Sequence, residues 1–336
     1  MPEVHWPISL EAARLHRRAI VWDNVLPLEP WCGNDLDRLG QYSDAGVTAI
    51  SLTLAGDSHN ISEAVQRVAA ARRRILSDPE HLLLVHTVAD VGRAKASGRL
   101  AVLLHFEGTR CFERNLDMIE AFFHLGVRHT LLAFNMSNCV GGGCAESSDG
   151  GLTSFGRRFI AECERVGMLI DLSHTGSRTS MQALERATRP MLFTHSNSAV
   201  LHPHFRNLLD EQVRACAATG GVVGVSSSVQ YLGDRDASTA AIMRHVDHYV
   251  QLVGSRHVGL GLDVIFDAAT VDAYMRSRPD EWPMALDPAW PGCRTAMPSQ
   301  IPELTQAMLD RGYSEADVLN ILGGNYLRVY GNTPDH

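Results

Sequence analysis

Short apolar runs alternate with amphipathic stretches from one end of this chain to the other, and that alternation constrains its fold more than any other feature. The runs lie near residues 19–25, 47–54, 100–106, 128–135, 168–173, 191–195, 221–227 and 258–263, and are rich in Val, Ile, Leu, Ala and Phe. Strands buried on both faces have that composition. A further short run at 82–86 reads as an extra strand or a buried connection. Eight strands with helical stretches between them favour a closed (β/α)8 TIM-type barrel over an open doubly wound sheet. No repeat, low-complexity tract or linker divides residues 1–336, so one domain is expected.

The helical stretches carry their own signals. Phe155, Phe159, Ile160, Cys163 and Val166 recur on one face, with Gly167 placed to stop the helix. Ile242, Val246, Val250 and Val253 repeat the pattern before Gly254. Ser314 to Asp317 fits a capping box opening a C-terminal helical segment, which Gly323 and Gly324 are expected to end. Residues 266–300 differ: Pro279, Pro283, Pro288, Pro291 and Pro298 are interleaved with Trp282 and Trp290. Following the last strand, this segment is a candidate lid over the barrel mouth.

Composition removes several function classes. A formal charge of −8 and a pI near 6.0 leave no basic face for nucleic acid. No run of about eighteen apolar residues exists to span a membrane. The N-terminus lacks the basic-then-apolar shape of a signal peptide, so a cytoplasmic protein is expected. Seven cysteines, an odd number without a C-x-x-C pair, read as reduced thiols.

Glu107, His174 and His195 each follow a different strand run. Strand ends of a barrel share one rim, where such folds build their sites. A carboxylate and two neutral imidazoles are suitable donors for a divalent cation. A single strand-end histidine reads equally well as a loop hydrogen-bonding group; three ligand types at three strand ends favour metal. Asp263 ends the eighth run and reads as a general acid/base or as a cap for the loop that follows. Arg206, in the loop after the sixth strand, reads as a bidentate carboxylate clamp or a surface ion-pair partner. Gly141, Gly142 and Gly143 precede no Lys-Ser/Thr, so they do not make a phosphate-binding loop.

Several short motifs in fixed order extend this pattern. They are Phe106-Glu-Gly108, Asp149-Gly-Gly-Leu-Thr-Ser-Phe-Gly156, Gly167-Met-Leu-Ile-Asp-Leu-Ser-His174 and Phe193-Thr-His-Ser196, then Arg206-Asn207, His257-Val-Gly-Leu-Gly-Leu-Asp263 and Gly323-Gly-Asn-Tyr-Leu-Arg328. Together they resemble the membrane (renal) dipeptidases of the amidohydrolase superfamily, over residues 19 to 331. The resemblance implies a (β/α)8 barrel, zinc, a homodimer and dipeptide substrates, often with a D-residue at the carboxyl end. It makes Glu107 the metal-bridging carboxylate, His174 and His195 the second-metal ligands, Arg206 the clamp on the substrate carboxylate and Asp263 the acid/base.

Two departures stand out. Where the family's first strand ends in His-x-Asp, this chain has Asp23 and Val25. Val25 cannot ligate, and Asp23 can do so only if it reaches inward. The family's histidine after the fourth strand aligns with Phe134, leaving Asn135 as an amide donor to the substrate; a bacterial branch has a similar aromatic-Asn pair. The sole lysine, Lys95, is not at a strand end to compensate. One zinc rather than two is therefore expected, held by Glu107, His174 and His195 with Asp23 as a further candidate. The leading expectation is a metal-dependent hydrolase of dipeptide-like amides. The alternative is a barrel enzyme with one or no metal, doing lyase, isomerase or other hydrolytic chemistry on a small carboxylate-bearing metabolite through Arg206 and Asp263. A non-catalytic scaffold ranks last, because the rest of the constellation is intact.

Overall fold

The computed structural model describes residues 5–27, 36–280 and 282–332. Among the described residues there are nine parallel strands: β1 (Trp22–Pro27), β2 (Ala49–Gly56), β3 (Leu82–Leu84), β4 (Leu100–Glu107), β5 (Val127–Leu131), β6 (Leu169–Asp171), β7 (Leu192–Phe193), β8 (Val222–Val225) and β9 (Val258–Leu260). Pairing runs β2-β1-β9-β8-β7-β6-β5-β4, and a β2–β4 ladder closes the ring into an eight-stranded barrel. The ninth strand, β3, lies against the first half of β4, with Leu82 opposite Leu100. This is the expected (β/α)8 architecture, and the run at 82–86 supplies the extra strand.

Alternation along each strand sorts the side chains into two layers. Val102, Leu104 and Phe106 of β4 join Phe159, Ile242 and Val68 in the large cluster between barrel and helices. Ala101 and Leu103 face the axis with Trp22, Ala49, Leu169, Leu192 and Val222. The floor of the barrel is plugged from the C-terminus: Tyr326, Val329 and Tyr330 belong to that inner cluster. The Tyr326 side chain occupies space that side chains at 224 and 259 would need: a Cβ at Gly224 would lie 2.4 Å from its hydroxyl oxygen and one at Gly259 2.7 Å from its ring. Its hydroxyl donates to the Leu260 carbonyl at 3.1 Å.

Most helix boundaries follow local chemistry. Asn60 and Glu63 form a reciprocal capping box for Ile61–Leu76. Gly167 ends Ser154–Val166 in a left-handed conformation, and Ser314 caps Glu315–Leu319, both as expected. Gly323 likewise interrupts the helix opened at Ser314, as expected: its backbone, φ 172° and ψ −14°, is not helical. The chain passes through one widened turn, Asn320–Gly324, and continues as Asn325–Tyr330. A Cβ at Gly323 would lie 2.5 Å from the Ile20 carbonyl oxygen, and the helix beyond the kink buries Tyr326 and Tyr330 in the barrel floor. Five strands also stop earlier than their apolar runs, at Leu131, Asp171, Phe193, Val225 and Leu260. The buried residues beyond them belong to rim loops.

Residues 266–300 form the helix Ala268–Arg276 followed by short turns, with Val271, Met275, Trp282, Ala285 and Cys293 in a small core of their own. Six described cysteines are free thiols; Cys32 lies outside the described residues. Among the described residues no helix is long and apolar enough to cross a membrane.

Candidate metal centre and active site

Glu107 is the last residue of β4, while His174 and His195 stand just beyond β6 and β7. The barrel brings the three together at one rim. His174 Nε2 lies 3.0 Å from His195 Nε2, and His195 Nε2 lies 3.7 Å from Glu107 Oε1. Burial pushes both imidazoles well below the usual histidine range, and the Arg206 charge adds to the effect, so both are neutral at pH 7.

Their outer nitrogens fix which tautomer each adopts. Asn135 Oδ1 can only accept, so His174 Nδ1 donates to it at 2.7 Å. Thr194 spends its hydroxyl hydrogen on Asp171 Oδ2, so it accepts from His195 Nδ1 at 2.8 Å. Asp171 is itself held by the backbone N–H groups of Ser173 and Thr194. Both Nε2 atoms therefore present lone pairs, facing each other at 3.0 Å. Two facing acceptors repel unless a cation lies between them, and second partners of this kind are how proteins orient metal-binding histidines. The donor set fits a zinc ion. Ligand nitrogens about 2.0–2.1 Å from tetrahedral zinc lie roughly 3.3 Å apart, close to the spacing of the two imidazoles. Among the described residues no three such side chains already surround one point tightly enough to bind an ion. Thr53 Oγ1 reaches the Glu107 carboxylate at 3.4 Å.

Asp263 follows β9 in a left-handed conformation, φ 59°. Burial, then the Glu107 charge, raises its carboxyl to about 7, with Arg206 opposing. Arg206 is 2% exposed and donates to Ser196 Oγ at 2.7 Å and to the His195 carbonyl at 2.6 Å. Its Nε has no partner among the described residues.

Asp23 does not join the trio. It pairs in register with Ile50 and Leu260, both of which face the helices, and a register shift follows it in β1. Its Oδ1 accepts from the Leu262 N–H at 2.7 Å, and burial raises its carboxyl to about 7. The strand's two-fold alternation thus turns Asp23 away from the barrel axis. Asn135 has also changed place relative to expectation: its Oδ1 sits on His174. Phe134 stacks on the same imidazole, ring centres 4.2 Å apart.

Sequence reasoning missed the groups that hold the loops. Asp57, just beyond β2, accepts from the N–H groups of Thr109, Arg110 and Phe134 and from Asn138 Nδ2, all at 2.8–2.9 Å. It ties the rim loops after β4 and β5 to β2. Asp171 and Thr194 lay inside visible motifs, but only their contacts reveal their work on His195. The three glycines at 141–143 serve packing: a Cβ on Gly143 would lie 2.1 Å from the Asn135 carbonyl.

The sequence model of the membrane dipeptidase family (peptidase family M19) matches residues 31–273. A dipeptidase of Aspergillus oryzae, aclJ, is 32% identical over 279 residues, covering 81% of this chain but only 61% of its own length. An uncharacterized Klebsiella pneumoniae protein from the pqqA 5′ region is 32% identical, over 80% of this chain and 94% of its own. Among solved structures, an amidohydrolase from Pseudomonas aeruginosa superposes with a TM-score of 0.87 at 28% identity, covering 95% and 98% of the two chains. A metallo peptidase from Rhodobacter sphaeroides shares the fold, with a TM-score of 0.77 at 21% identity over 94% of this chain and all of that one. With a family match over most of its length and the motif residues gathered at one rim, this chain belongs to the membrane dipeptidase family.

Proposed function

We propose that this protein is a metal-dependent hydrolase of dipeptide-like amides, with a single zinc ion held by Glu107, His174 and His195. The observation that carries this reading is the pair of imidazole lone pairs, each set by its own outer hydrogen bond and turned on the other beside a carboxylate. When bound, zinc supplies Lewis-acid polarisation of the substrate carbonyl and acidifies the attacking water. Asp263, with a carboxyl near pH 7, can take a proton from that water and return it to the leaving amine. Arg206, held on the His195 carbonyl and on Ser196 Oγ, would offer its buried, unpaired Nε–H to a substrate carboxylate. The Rhodobacter structure is liganded with a phosphinate mimic of the dipeptide L-Ala-D-Ala, which supports the substrate class.

A panel of L-L and L-D dipeptides assayed with added zinc tests the proposal. Turnover should vanish with a chelator and return with zinc. Asp263→Asn should lower kcat by roughly 10²-fold or more, the usual worth of a positioned acid/base. Folded protein that turns over none of the panel would remove the assignment.

A further inference from the structure

Above Glu107 lies a cavity of about 580 Å³, large for a small dipeptide. One wall is apolar and aromatic, formed by Phe134 and Met136 from the rim and by Tyr274 and Trp282 from the 266–300 segment. Two polar side chains lining it, Asp57 and Asn138, are already engaged. Asp57 accepts four hydrogen bonds. Asn138 donates to Asp57 and to the Leu132 carbonyl, and accepts from the N–H groups of Val140 and Gly141. Arg110 and Arg114 are exposed, so their charge is solvated at the edge.

This aromatic wall is continuous with the metal-binding histidine. Phe134 lies nearly parallel to His174, and Trp282 meets Phe134 edge-on with ring centres 5.5 Å apart. Trp282 is 3% exposed and is fixed by the small core of its own segment. A substrate whose amide carbon sits at the Glu107–His174–His195 rim has Phe134, stacked on His174, beside it to receive one of its side chains. Such a wall rewards apolar area and gives a small or charged side chain nothing in exchange for its hydration.

We propose that this cavity selects substrates carrying a large apolar side chain next to the hydrolysed amide, received by Phe134, Met136, Tyr274 and Trp282. The proposal deepens the hydrolase reading above and rests on it. The first test compares kcat/KM for Ala-Ala, Phe-Ala, Ala-Phe, Glu-Ala and Ala-Glu on zinc-loaded protein. One of the two Phe peptides should exceed Ala-Ala by at least about tenfold, the scale on which apolar pockets discriminate. Trp282→Ala and Tyr274→Ala should each shrink that ratio severalfold. A second test needs no turnover: saturation-transfer NMR with N-acetyl-L-phenylalaninamide and N-acetyl-L-alaninamide should show tighter binding of the aromatic amide, weakened in Trp282→Ala. Should no peptide be hydrolysed while this binding preference persists, the hydrolase reading fails and the cavity assignment stands. No preference for the aromatic compound in either assay, or faster cleavage of the Glu peptides through the rim arginines, overturns the cavity assignment.

Discussion

Three residues at the candidate centre, Asn135, His174 and Asp263, hold left-handed backbone at φ 56°, 60° and 59°. Outside glycine that conformation costs roughly 1–2 kcal/mol per residue, and it clusters where side chains must be aimed rather than merely packed. None of this is visible in residue identity, although Asn and Asp tolerate the conformation best. Asp23 shows the opposite failure of legibility. As an acid at the end of the first strand it was a ligand candidate, yet strand register, which the sequence does not print, turns it toward the helices. Its buried carboxyl, raised to about 7, makes a prediction about stability. A carboxyl whose folded pKa is raised stabilises the fold fully below its unfolded value near 3.8, and that contribution is lost as pH climbs through about 7. Asp23→Asn keeps an acceptor for the Leu262 N–H and removes the ionisation. The variant should match wild type at pH 4 and become more stable above pH 7. The gain should be at most on the order of 4 kcal/mol, about three pH units at 1.36 kcal/mol each. Urea unfolding from pH 4 to 9 checks it, and parallel curves at every pH would mean Asp23 is hydrated. Zinc content should be unchanged, since Asp23 stands outside the trio.

At the scale of elements, strands and helices were legible because periodicity and caps are local properties. The eight strand runs and the Gly167 and Ser314 boundaries needed only neighbouring residues. What was not legible depends on contacts distant in sequence: the docking of Tyr326 and Tyr330, on the short helix beyond Gly323, into the barrel floor, and the loop clasp at Asp57. Asp57 spans 52 residues to Thr109 and 81 to Asn138, and nothing near it in the chain marks it. Removing its carboxylate strands several partly buried donors. Asp57→Ala should therefore destabilise the protein by roughly 2–4 kcal/mol. Asp57→Asn keeps the oxygen that serves Thr109 and Arg110 but sets its amide against the Phe134 N–H and Asn138 Nδ2. The double variant Asp57→Asn with Asn138→Asp lets that amide donate again, and should regain part of the loss. Unfolding midpoints of the three variants decide it. An Asp57→Ala protein within about 0.5 kcal/mol of wild type, the range of uninvolved surface changes, would mean the loops are held by other contacts.

For the whole molecule, closure of the barrel makes residues 67 and 88 positions apart share a rim. Glu107, His174 and His195 were readable as ligand types at strand ends, and the ring of pairings from β2 round to β4 carries them together. The fold thus assembles two facing imidazole acceptors at its own expense, and a cation that separates them should stabilise the entire domain. Ligand binding to the folded state adds RT ln(1 + [L]/Kd), about 2.7 kcal/mol at a hundredfold excess over Kd. In a domain this large each kcal/mol moves Tm by roughly 2 °C, so zinc should raise Tm by several degrees over chelator-treated protein. His174→Ala should abolish most of that rise. Asn135→Ala, which frees the His174 tautomer, should weaken zinc affinity roughly 10–100-fold, as losing such an outer partner does elsewhere. Stoichiometry discriminates further. With Val25 carrying no donor atom on its side chain and Asp23 facing the helices, β1 is not expected to complete a second site. Dialysed protein should therefore retain about one zinc per chain, and two retained equivalents by metal analysis would mean that Glu107 bridges a pair of ions with donors other than those on the first strand.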